Sequence, residues 1–183
     1  MAFLRRWRNK LAPLSNDCSV TTDHRPFSLS FMRDWLRSVS SWGWIVTALA
    51  VAHAIWMIWI AYDLHYGLGT FSYDVGLYDQ GVWLLSRFQE PYVTFMGRNL
   101  LGDHASLIML FFIPVYWVVP GVMTLLVVQA IVVAAGTIPI YLLAKRLLNS
   151  GAMGCGAAVM WLANPALNGG AMENFHPDSF LAL

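Results

Sequence analysis

Few side chains in this sequence could do chemistry, and they gather in three short runs. These are Tyr73-Asp74-Val75-Gly76-Leu77-Tyr78-Asp79-Gln80, Gly102-Asp103-His104, and Glu173-Asn174-Phe175-His176-Pro177-Asp178. Carboxylates and imidazoles are the groups that take and give protons near neutral pH. Each run also lies at a predicted helix end, where a carboxylate can accept backbone N–H bonds and favour the helix dipole. For Asp74, Asp103 and Asp178 taken singly, capping competes with function on equal terms. Asp74 and Asp79 are five residues apart in sequence, a separation of about 140° around a helix. They cannot share a face, so Asp74 is the candidate for reactivity, while Asp79 and Gln80 are candidates for interhelical hydrogen bonds. Asp103 and His104 suit a general base with its orienting partner, or two ligands of a divalent cation. Adjacent residues diverge on a helix, so a joint role needs irregular backbone, which Gly102 permits. Pro177 favours the first helical position, which puts His176 where a helix emerges; the plainer alternative is a histidine at headgroup level. The nearby cations are Arg98 and Arg87.

The elements that carry these residues belong to a membrane chain. Of the 183 residues 58% are hydrophobic and 11% charged, against roughly 25% charge in soluble domains. A span needs about 20 apolar residues to cross roughly 30 Å of hydrocarbon. Residues 43–62 form the first predicted span, flanked by Trp42 and Trp44 at one end and by Trp56, Trp59 and Tyr62 at the other. Such aromatic belts mark membrane interfaces. His53 lies mid-span; a neutral imidazole bonded to a neighbouring helix outweighs a functional role there. Residues 122–144 form a second span, closed by Lys145-Arg146, and residues 151–167 a third, rich in small residues that let helices approach closely. A further apolar helix starts at residue 177.

The charges are unevenly placed. Residues 1–41 hold seven of the eleven basic residues (Arg5, Arg6, Arg8, Lys10, Arg25, Arg33, Arg37), which places this end in the cytoplasm. The leader reads as largely disordered up to a short amphipathic stretch, 31–39, on anionic lipid. Residues 63–104 carry five acidic residues and two basic ones and read as an outer loop. Within it an apolar pattern at Leu77, Gly81, Leu84, Leu85 and Phe88 predicts an interfacial helix ending before Pro91. Residues 105–119 are apolar but short and hold Pro114. If they cross, Lys145-Arg146 falls outside; if they form a re-entrant or interfacial helix, Lys145-Arg146 returns to the cytoplasm and His176 emerges beside Asp74. The positive-inside bias favours the second arrangement. Cys18 and Cys155 lie too far apart in this scheme to be bridged. No zinc spacing, phosphate loop, nucleophile elbow or nucleic-acid stripe is present, so no nucleic-acid partner is expected.

Tyr73 through Trp83, Leu101-Gly102-Asp103-His104-Ala105-Ser106, Asn164-Pro165-Ala166 and Phe175-His176-Pro177-Asp178 together resemble the bacterial predicted membrane proteins grouped as domain of unknown function 2079. The likeness runs from Trp42 to Leu183. Asp178 stands where that family often has Glu, and Ala105 where it has Phe. Family members are longer, which implies that this chain is an N-terminal part, ending inside a helix. The family in turn is similar to the C-type (GT-C) membrane glycosyltransferases, which share a first helix, an acidic outer loop and a Tyr-Leu-Leu-Ala-Arg-Arg-like span end, here Tyr141 through Arg146.

The resemblance implies an all-α polytopic membrane fold, the N-terminal part of a GT-C-like architecture in the cell membrane. It implies transfer of a sugar from a polyprenyl-phosphate donor on the outer face. Asp74 would be the catalytic base, with Asp103, His104 and His176 completing the catalytic set. Arg98, Asp79, Gln80 and Asp178 would bind substrate, and the need for a metal stays open. A transporter is the competing expectation, and an inactive fragment a third.

Overall fold

The computed structural model describes residues 40–70, 72–103 and 107–182; for Ser72, Asp103, Glu173, Leu181 and Ala182 it describes the main chain alone. The predicted leader, with its amphipathic stretch at 31–39 and Cys18, lies outside the described residues, as does His104.

The described chain is mostly helical. Helix α1, Ser41–Tyr66, has 26 residues, a length of about 39 Å at 1.5 Å per residue. The Ser40 hydroxyl caps it by accepting from the Gly43 N–H, and the Gly67 N–H closes the far end on the Asp63 carbonyl. Its buried residues are Gly43, Val46, Ala50, Met57 and Ala61, a stripe at helical spacing. Trp44, Ile45, Val51, Ile55 and Trp59 are exposed on the other sides. Apolar surface all round a helix this long suits lipid rather than water. Ser41–Tyr66 and Val122–Leu148 are the two described stretches long and apolar enough to cross a membrane.

Helix α2, Ser72–Ser86, follows. The expected continuation to Phe88 fails: Phe88 has a positive φ of 58° and is 86% exposed. The acidic loop also contains a feature absent from the sequence reading, an antiparallel hairpin of β1, Tyr92–Val93, and β2, Arg98–Asn99. Gly97, at φ +66°, supplies the left-handed residue its four-residue turn requires. Helix α3, Leu100–Asp103, is a single turn packed where Gly81 leaves room for Leu100.

Residues 107–118 form a 3-10 segment, Leu107–Phe112, and helix α4, Ile113–Val118. Six residues at about 2 Å and six at about 1.5 Å give roughly 21 Å, short of the roughly 30 Å hydrocarbon core. The segment lies on α2 instead: Trp117 Nε1 donates to the Ser86 carbonyl at 2.7 Å.

Helices α5, Val122–Ala135, and α6, Thr137–Leu148, form one long rod broken at Gly136. Pro139 lacks an N–H and crowds the preceding turn, which accounts for the break. Nearby, the Val133 carbonyl accepts from Trp161 Nε1 at 3.0 Å. Asn149, in the left-handed conformation, ends α6, and Ser150 caps α7, Gly151–Leu162. Part of the small-residue stripe of α7 packs closely: a Cβ on Gly154 would sit 2.9 Å from the Tyr141 carbonyl oxygen. Cys155 is a free, buried thiol.

The expected span 151–167 is not one helix. It stops at Leu162, and Asn164 caps a new helix, α8, Pro165–Glu173, accepting from the Ala166 and Leu167 N–H groups. Proline at the first helical position explains the restart. The two pieces climb along α1: Gly151 lies against Trp42, and Asn168 meets His53 at 3.1 Å. Together they hold 12 and 9 residues, about 31 Å of helix. The chain then turns through Asn174 to His176 into a 3-10 segment, Pro177–Ala182.

The largest core lies at the far end of α1. Ala61, Val75, Tyr78, Val82, Val93, Leu100, Phe112, Tyr116, Leu125 and Phe175 are among its buried residues. At the opposite end Lys145 Nζ donates to Ser40 Oγ at 3.3 Å and lies over the Tyr141 ring. The basic close of α6 therefore shares an end of the bundle with the start of α1.

Candidate functional site

The site grows from two chain segments that are 100 residues apart in sequence. Asp74 lies in the first turn of α2, half-buried, and its Oδ2 accepts from Asn174 Nδ2 at 3.2 Å. Asn174 ends α8, so this bond joins the first and third chemistry-bearing runs. Helix geometry had separated Asp74 from Asp79, and their partners differ accordingly. Asp79 accepts from the Tyr116 hydroxyl at 2.8 Å. Burial raises the Asp79 carboxyl above its ordinary value, while the Tyr116 bond and the nearby His65 ring pull the other way. Burial and the adjacent Asp79 push the Tyr116 phenol upward, so the proton stays on the phenol.

The segment 174–176 is held from two sides. The Phe175 ring is fully buried and meets Tyr78, Phe112 and Phe180 at centroid distances of 5.3, 5.7 and 6.0 Å. From below, Gln129 in α5 is also fully buried. Its Nε2 donates to the Ala171 and Asn174 carbonyls at 3.2 and 2.9 Å, and its Oε1 accepts from the His176 N–H at 2.7 Å. Burying a phenylalanine side chain contributes about 1.5–3 kcal/mol, and three neutral hydrogen bonds at about 0.5–1.5 kcal/mol each contribute on the same scale, but the first is non-directional and the second is not. The ring anchors the segment; the amide sets how it is turned.

The remaining predicted residues are placed unevenly. Gln80 does not bond to another helix: its Oε1 accepts from the Thr94 N–H and hydroxyl, which ties the hairpin to α2. Arg98 is exposed on β2 of that hairpin. His176 is half-buried, its main chain fixed by Gln129. Asp178 is exposed in the first turn of the last 3-10 segment. Asp103 ends α3, and its side chain, like the whole of His104, lies outside the described residues. Among the described residues no group of three or more His, Cys, Asp or Glu could hold a metal ion.

Four residues were missed or misjudged from sequence. Asn174 stands inside the third run without a role, and Gln129 is a lone amide in an apolar span with no pattern to mark its partners. Tyr116, inside an apolar stretch, gives no pattern to find it by. His65 lines a cavity of about 370 Å³ with Leu68, Thr70, Val75, Gly76 and Val122. Its Nδ1 is buried without a hydrogen-bond partner among the described residues. His53, by contrast, behaves as expected of a neutral imidazole bonded to a neighbouring helix, with Asn168 as its partner.

The sequence profile of the predicted membrane protein family DUF2079 matches residues 64–183. The chain belongs to that family. The match takes in all three runs of the site, while α1 up to Asp63 precedes it, so the likeness that the sequence suggested from Trp42 onward is shown from Leu64. No curated protein and no solved structure matches this DUF2079 chain.

Proposed function

We propose that this DUF2079 protein is a membrane glycosyltransferase of GT-C type, working at the membrane face where Asp74 and Asn174 meet. The observation that carries the reading is the 3.2 Å bond between them, which turns two distant polar runs into one half-buried carboxylate site at the end of the bundle. A carboxylate there is close to headgroup depth, where a lipid-linked donor presents its phosphate and a soluble acceptor can reach it.

In the proposed reaction the Asp74 carboxylate takes the proton of the acceptor hydroxyl as that oxygen attacks the anomeric carbon. The bond from that carbon to the donor phosphate breaks, and the polyprenyl phosphate leaves with the electron pair. Asn174 holds the carboxylate in place, and Arg98 on the hairpin and His176 face the phosphate and the acceptor. Asp79, raised by burial and tied to Tyr116, serves as support. Asp103 and His104 keep the role of orienting the acceptor or a divalent cation in this reading, and the proton transfer to Asp74 does not depend on which.

The same reading gives the topology. The basic leader and Lys145-Arg146 lie in the cytoplasm, residues 107–118 form a re-entrant or interfacial element, and the site faces outward. Transport is less well supported. Polar groups inside spans persist for function, yet His53 and Gln129 are both committed to protein partners. The test is Asp74→Asn, assayed for transfer from polyprenyl-phosphate sugars in membranes containing the full-length protein. Loss of transfer by at least about 100-fold with unchanged expression is expected of a general base; full activity would sink the assignment.

A further inference from the structure

Among the described residues, Gln129 is the polar side chain of the α5–α6 rod that reaches the candidate site's loop. It is fully buried at mid-α5, and each hydrogen-bonding atom of its amide is engaged on the segment 171–176. The pattern is selective. Two acceptor carbonyls, Ala171 and Asn174, meet the amide's N–H groups, and one donor, the His176 N–H, meets its carbonyl. The first carbonyl lies in the last turns of α8 and the second at its end, where orphan carbonyls need a partner. Asn174 is also the residue whose side chain reaches Asp74. An apolar side chain of the same size would fill the space yet leave three main-chain groups unpaired, which is costly in a buried position.

We propose that Gln129 is a positioning residue of the site: it fixes the main chain on both sides of Phe175, and through it sets Asn174 against Asp74. The Phe175 ring fixes where the segment sits but leaves its rotation about the ring open. The amide, with donor and acceptor directions both used, removes that freedom. The geometry makes Gln129 a strut between the spans and the segment 171–176. The catalytic consequence rests on the glycosyltransferase reading of Asp74, whereas the positioning itself does not.

The experiment measures the geometry directly in the full chain in membranes, with Cys18→Ser and Cys155→Ala as background. Asp74→Cys with Asn174→Cys reports the site when bridged by a short thiol-specific linker. Because Gln129 holds the main chain of residue 174, its grip survives that substitution. Ser40→Cys with Tyr141→Cys, bridged by a longer linker, reports the opposite end of the bundle. Gln129→Leu is expected to slow the first cross-link by roughly tenfold, the scale of lost buried hydrogen bonds, and to leave the second unchanged. Gln129→Glu, protonated at that depth, keeps a carbonyl acceptor and one O–H donor in place of two donated bonds, and is expected to restore the first cross-link in part. An unchanged first cross-link in Gln129→Leu overturns the proposal. So does an equal fall in both, which would make Gln129 a residue of the whole bundle. Transfer is assayed separately in the chain with Asp74 and Asn174 intact: no transfer there, beside a first cross-link slowed by Gln129→Leu, would refute the enzyme reading and leave the positioning role standing.

Discussion

Asp79 is the carboxylate whose environment the fold has altered most visibly. Burial raises it, and the Tyr116 hydroxyl only partly offsets that. A raised folded-state value means that the native state binds the proton more tightly than the unfolded chain. Between the ordinary value of 3.8 and the raised one, stability therefore falls as pH increases, and above the raised value the loss is complete. Asp79→Asn removes this titration while keeping an acceptor for Tyr116. Thermal unfolding of the detergent-solubilised protein should then depend less on pH across the range just above 3.8, with the variant relatively more stable at the upper end. An unchanged pH profile would show that Asp79 is effectively solvated. At this scale the sequence was informative about identity but not about partners. Asp74 and Asp79 were legible as separate because 140° is a property of any helix, whereas Asn174 and Tyr116 could not be assigned to them across 100 and 37 residues of chain.

Elements were legible where the apolar run is long enough to cross a membrane and free of a capping signal. Residues 43–62 became Ser41–Tyr66, and 122–144 became the rod Val122–Leu148. They were illegible where two short pieces share one apolar run. Asn164-Pro165 carries a cap and a first-turn proline, a signal in plain view that apolar continuity hid. The hairpin at 92–99 was hidden differently, since two-residue strands leave no alternation to read. The small residues of α7 make a sharper point, because they are not equivalent. At Gly154 a Cβ would press on the Tyr141 carbonyl oxygen and on Lys145 Cβ, at 2.9 and 3.0 Å, while at Gly156 nothing lies within 4 Å. Gly154→Ala should therefore destabilise the α6–α7 hairpin by about 1–3 kcal/mol, as overpacking does. Gly156→Ala should be neutral or slightly stabilising, since alanine is the better helix former. Melting temperatures of the two variants in one detergent decide it, and equal values would refute close packing at Gly154.

For the whole molecule the question is which groups share a side of the membrane. The structure joins Lys145 to Ser40 at one end and Asn174 to Asp74 at the other, with α7 and α8 running between them alongside α1. One helical length of about 39 Å separates these ends, so they cannot both be wetted from the same side if α1 crosses a bilayer. Charge alone gave the expectation that Lys145-Arg146 lies on the same side as the start of α1, since the positive-inside bias groups basic segments on one side. It could not say that residues 107–118 pack on α2, because that depends on Tyr116 and Trp117 finding Asp79 and Ser86. Asp178 and Arg146 are both exposed, and they give the decisive pair. In intact cells carrying Cys18→Ser and Cys155→Ala, a membrane-impermeant maleimide should label Asp178→Cys at once and Arg146→Cys only after permeabilisation. The reverse order would invert the protein and move the site to the cytoplasmic face, and immediate labelling at both positions would refute the crossing of α1 alongside α7 and α8.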